Sequence, residues 1–166
     1  MSKPLKVKTV SADAPIQTTA VKILQTRLEE FYSHWTDLHQ TPSPEQLHNL
    51  RISGKRLRYS AEQLRELFPD RLALLIELLK RGQDLLGEIQ DCVTQRAVIE
   101  TELTRLRQQK PLRSDSSALK KLLNDYDQRQ SMLFSQFREI WMGLAAPKFR
   151  SSVKAMVRGT FAEKRG

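Results

Sequence analysis

Four residues at helical spacing carry the chemistry this chain most plainly offers: His48, Arg51, Lys55 and Arg58, within PEQLHNLRISGKRLRYSAEQLRELF, residues 44–68. Wound at about 100° per residue, they fall on one stripe. Cations at successive turns of a helix stand about 5 Å apart. Neighbouring phosphates along a polyanion have a comparable spacing, so the row can match a phosphate chain charge for charge. Arginine adds fork-like, charge-assisted bonds to phosphate oxygens, and lysine adds a mobile point charge. His48 can donate from a ring nitrogen, and does so better when protonated. Taken alone, such a stripe serves equally as a solvated or interhelical ion-pair face.

The elements that position the row are legible in the same stretch. Leu47, Leu50, Gly54, Leu57, Ala61, Leu64 and Phe68 repeat three and four apart, which predicts a core-facing seam beside the row. Ile52 and Tyr59 flank the row on its other side. Apolar residues on both edges predict that the row faces a groove or an interface. Ser43, Pro44 and Gln46 predict an N-cap, a first-turn proline and a capping box, and Pro69 predicts the stop.

Similar seams predict the other helices. Val21, Leu24, Leu28, Phe31, Trp35 and Leu38 mark a helix from about Pro15 to Leu38, with Asp13 as a cap. Leu72, Leu75, Leu79, Leu86, Ile89 and Val93 mark a third, capped by Asp70 and continuing through Leu103 and Leu106. Gly82 and Gly87 lie within it and predict a bend or a close helix approach. After the turn 109–116, Leu119, Leu122, Tyr126, Leu133, Phe137, Ile140 and Leu144 mark a fourth helix from about Ser117 to Leu144. A basic amphipathic helix follows, with Phe149, Val153, Met156 and Phe161 to dock. No alternating strand pattern is present. The predicted fold class is all-α, a four-helix bundle with an additional C-terminal basic helix. Residues 1–13 are expected to form a flexible basic arm, 14–162 one helical domain and 163–166 a tail.

The 166 residues carry a net charge of +9, unevenly placed. Residues 1–58 hold nine basic against five acidic groups, 59–147 thirteen against thirteen, and 148–166 six against one. A balanced body with basic ends favours a localised anion site, with polyphosphate, nucleic acid or an anionic membrane surface as partner classes. The single cysteine, Cys92, cannot form an internal disulfide and reads as a small, inert helix residue. No apolar run reaches the length of a membrane span, and the first residues lack a secretory apolar stretch. The expected location is the cytoplasm, without membrane insertion. His34 and His39 lie five apart, a spacing that makes no metal site on one helix face, and both are expected at the surface.

The run His48-x-x-Arg51-Ile52-x-x-Lys55-Arg56-Leu57-Arg58-Tyr59 resembles the signature of the CHAD domain, the conserved histidine α-helical domain. Gln83-Asp84-x-Leu86-Gly87-x-x-x-Asp91 resembles that family's second motif, in the right order and at the expected distance. The closest similarity covers residues 44–95. The resemblance implies helical bundles that bind inorganic polyphosphate along basic residues. It also implies association with polyphosphate granules or triphosphate-handling enzymes, and no catalysis, metal or cofactor of the family's own. It assigns phosphate binding to His48, Arg51, Lys55, Arg56 and Arg58, although Arg56 points away from the row on the helical wheel. Geometry adds Lys80, Arg150, Lys154 and Arg158 as further anion contacts. Asp91 is expected to orient a cation across the groove, or to make a simple interhelical salt bridge. Members of the family usually join two such bundles in one chain, and this chain has length for one. It therefore resembles one half of a CHAD domain: either two copies pair to rebuild the channel or the site is an open half-groove, and a homodimer with facing basic rows is expected, since Ile52 and Tyr59 would otherwise be left exposed.

Three other functions compete. A histidine phosphotransfer protein would use His48 on a similar bundle, but Lys55, Arg56 and Arg58 are more cations than one phosphoryl group needs. Non-specific nucleic-acid binding suits the charge, yet the aromatics sit on core seams instead of offering stacking platforms. A hydrolase would need a P-loop, an HExxH or an acidic magnesium cluster beside the row, and none is present.

Overall fold

The Ser43 hydroxyl accepts from the backbone N–H of Gln46 at 3.2 Å, and the Gln46 side chain accepts from the Ser43 N–H at 2.7 Å. This capping box, with Pro44 next in line, starts helix α2 (Pro44–Gln63) where its sequence predicts. A cap of this kind contributes about 1 kcal/mol. The computed structural model describes residues 3–7, 13–34, 43–68, 72–108 and 113–158, with backbone alone at 113–115, 152, 154 and 156–158. Among the described residues the fold is all-helical, a helical bundle with five α-helices: α1 (Ile16–Ser33), α2, α3 (Ala73–Gln108), α4 (Arg113–Ala145) and α5 (Pro147–Arg158).

Several boundaries differ from the sequence expectation. Pro15 takes the N-cap position of α1, two residues after Asp13. Trp35, Leu38, His39 and the Asp70 cap lie outside the described residues. Helix α2 ends at Gln63 and tightens into a 3-10 turn over Arg65–Leu67. Phe68 then leaves helical geometry at φ −145°, as a residue before proline is biased to do. Helix α3 runs as one 36-residue element. Helix α4 starts four residues earlier than expected, inside the stretch read as a turn and soon after Pro111, a residue that a helix start tolerates.

The chain divides into two compact units, residues 1–83 with 140–166 and residues 84–139. In the first, Leu24, Leu28, Phe31 and Tyr32 of α1 are buried, as are Leu50, Leu57 and Ala61 of α2. Leu72, Leu75, Leu79, Trp141, Leu144 and Val153 complete its core. Trp141 is buried where the seam predicted Ile140, which is half-buried. The 3.6-residue period drifts against a fixed heptad, and by Phe137 the next inward position lies four residues on. The Trp141 ring meets Phe31 edge-on, with centroids 4.9 Å apart. A Cβ at Gly54 would stand 3.2 Å from Phe31, so this glycine lets α2 close on α1.

The second unit is an antiparallel pair formed by α3 from Asp84 and α4 up to Glu139. Its buried apolar residues are Leu86, Ile89, Cys92, Ile99 and Leu103 on α3 and Leu133 and Phe137 on α4. Cys92 replaces the expected Val93, which is half-buried, and is a free buried thiol. Leu122 is 42 % exposed instead of buried, since two helices alone cannot enclose every apolar side chain between them. Arg96 reaches Asp127 at 2.8 Å, and Arg129 reaches Glu88 at 3.0 Å.

Tyr32 gives the first unit an alkaline limit. Its hydroxyl donates to the Leu144 carbonyl at 2.7 Å, and Arg150 lies 4.2 Å over its ring. Burial pushes its pKa up to about 12, against a smaller downward pull from Arg150. The folded state thus holds the neutral phenol more tightly than the unfolded state does. That stability is fully present below pH 10 and is lost as pH rises toward 12, on the order of 2 kcal/mol. Urea unfolding between pH 9 and 12 should show this loss, and Tyr32→Phe should remove most of it.

Candidate anion-binding site

The seam of α2 turns Leu50, Gly54, Leu57 and Ala61 fully inward, and this fixes the row along one edge of the helix. His48 is exposed, while Arg51, Lys55 and Arg58 are half-buried. Half-burial suits cations that lay their stems on the apolar seam and keep their heads in water. Ile52 is half-buried and Tyr59 is 49 % exposed, so both apolar flanks are open to some degree.

The five cations of α2 fall into two groups by what they already hold. Arg56 points to the opposite edge, as its wheel position predicts, and ion-pairs with Glu30 of α1. Arg58 bonds Glu62 one turn on at 3.2 Å and stacks 4.7 Å from the centre of the Tyr59 ring. Its Nε is buried without a hydrogen-bond partner among the described residues. No described carboxylate pairs with His48, Arg51 or Lys55. An exposed pair such as Arg58–Glu62 is worth at most about 1 kcal/mol, so an incoming phosphate can displace it. The row therefore presents Arg51 and Lys55 open, His48 beside them, and Arg58 held loosely.

Glu30 is the residue that sequence reading missed. It is 2 % exposed, accepts from Arg27 at 2.6 Å and also takes Arg56. Its only sequence signal is a carboxylate next to the seam residue Phe31, three after Arg27. His34, expected at the surface, is half-buried beside this cluster, with its Nε2 buried and unbonded among the described residues. Burial lowers its pKa, Glu30 pulls it back up and Arg56 pushes it down. His34 stands beside the Glu30 cluster, a neighbourhood that a wheel drawn on α1 alone cannot show.

The additional contacts are distributed as follows. Lys80 is exposed on α3 within the first unit. Arg150 is exposed and occupied by the Tyr32 ring. Lys154 and Arg158 belong to α5, but their side chains lie outside the described residues. Asp91 is exposed in the second unit and pairs with no described cation. No group of three or more metal-ligating side chains occurs among the described residues. No described helix is long and apolar enough to cross a membrane.

The family model described as CHAD domain matches residues 2–100, which contain the whole row, Glu30 and both sequence motifs. No curated protein and no solved structure matches the chain.

Proposed function

We propose that this chain, which belongs to the CHAD domain family, binds inorganic polyphosphate along the α2 row without turning it over. One observation supports this most directly. Arg56 and Arg58 have carboxylates, whereas Arg51 and Lys55, with His48, have none among the described residues. Open cations one turn apart, held between a buried seam and an apolar flank, need an external anion to complete them. A flexible chain of phosphates supplies charge at that interval without the stacking platforms that a nucleic acid would use. Binding of this kind suits a granule coat, a targeting element or an adaptor for triphosphate-handling enzymes. A second copy would bring a second row to the same polyanion and raise its avidity.

Competition separates polyphosphate from generic electrostatics. Long-chain polyphosphate should displace RNA of matched charge from the protein, and the RNA should not displace polyphosphate. Equal displacement in both directions would overturn the selectivity, because any polyanion releases counterions and salt dependence alone cannot tell them apart.

A further inference from the structure

From Gln90 to Thr104 the outer face of α3 in the second unit carries a stripe of uncharged side chains, with Asp91, Glu102 and Arg105 along one edge. Gln90, Thr94, Ala97, Val98, Thr101 and Thr104 are exposed on it, Val98 at 60 %. The threonine hydroxyls donate to carbonyls of their own helix at 2.8–2.9 Å: Thr94 to Gln90, Thr101 to Ala97 and Thr104 to Glu100. Their methyl groups therefore make up the outward surface, and a shallow, largely apolar depression runs along Val93, Thr94, Ala97, Val98 and Thr101, with Glu102 at its edge. The spacing 87, 91, 94, 98, 101, 105, 108 alternates four and three, the seam of a helix that packs against another helix.

Charge identifies the partner. Asp91 and Arg105 lie seven residues to either side of Val98, on the same flank of the seam. In an antiparallel pair of identical helices with its two-fold axis at Val98, Asp91 of each copy meets Arg105 of the other. The same symmetry sets Val98 against itself, Thr94 against Glu102 and Thr101 against Gln95 of the other copy, so the face meets itself, as a two-fold interface must. Asp91 pairs with no described cation, and Arg105 already holds Glu102 of its own helix at 2.8 Å, so the cross-pair gives Arg105 carboxylates on two sides. Gly87 fits the same picture. A Cβ there would meet nothing within 4 Å in its own chain, and its absence leaves room for a neighbouring backbone.

We infer that two copies of this chain associate through the α3 face, antiparallel about Val98, with reciprocal Asp91–Arg105 ion pairs. The pairing uses no residue of the α2 row and does not rest on the anion reading. Sedimentation equilibrium of the full chain without polyphosphate tests it, over about 1 to 100 μM, the range of modest interfaces. The apparent mass should rise to twice the 19.2 kDa chain mass. Val98→Glu places like charges together at the axis and should weaken the dimer at least about tenfold. Its thermal unfolding should match that of the wild type, since the side chain is exposed. Asp91→Arg should also weaken the dimer, and adding Arg105→Asp should restore most of the loss. A wild-type monomer at every concentration overturns the inference. So does a dimer indifferent to Val98→Glu, or a charge swap that restores nothing.

Discussion

Arg51→Ala combined with Lys55→Ala should weaken binding of long-chain polyphosphate roughly 100-fold at near-physiological salt, from two charge-assisted contacts at the lower end of their usual worth. The two residues are the row's open cations, one helical turn apart on the edge of α2. A change of two charges also alters the field of the whole molecule, so the comparison needs a variant of equal charge. Lys120→Ala with Lys121→Ala removes the same charge from exposed positions on α4. That variant should stay within about threefold of the wild type, because neither lysine belongs to the α2 row and exposed charges are weakened by salt. Equilibrium binding of fluorescently labelled polyphosphate checks both.

Glu30→Ala should be the most destabilising single charge removal in the first unit. The Glu30 side chain is 3 % exposed and serves two guanidinium groups from different helices. Removing it takes away the carboxylate that Arg27 and Arg56 share. Loss of one member of a buried pair costs about 3–5 kcal/mol, and the lower figure applies here because both arginines are partly solvated. Glu62→Ala breaks only the exposed pair with Arg58 and should cost less than about 1 kcal/mol. Urea unfolding of the two variants should separate them clearly. An equal, small effect would mean that the Glu30 cluster contributes little to holding α1 against α2.

These two variants also mark the border of what the sequence makes legible. The α2 seam, its capping box and the row beside it are local, set by a 3.6-residue period and by chemistry within a few residues. All three appear where Ser43, Leu50, Leu57 and Arg51 predict. The commitments of the cations are tertiary. A helical wheel shows that Arg56 leaves the row, but not that Glu30 waits for it on another helix. His34 looked peripheral because the wheel of α1 does not include the cluster that covers it. Long helices brought a second kind of difference. Over α4 the drift of the helical period moved burial from Ile140 to Trp141. The division into two compact units falls inside α3, beside Gly82, and inside α4, so no loop between helices marks it.

Calorimetric titration of the full chain with long-chain polyphosphate, beside the Arg51→Ala, Lys55→Ala variant, tests the central claim most directly. Saturable binding by the wild type that falls away in the variant, with weak heats from RNA of matched charge, is the predicted result. Binding of polyphosphate and RNA alike, untouched by the two substitutions, would contradict it and assign the affinity to the basic ends of the chain.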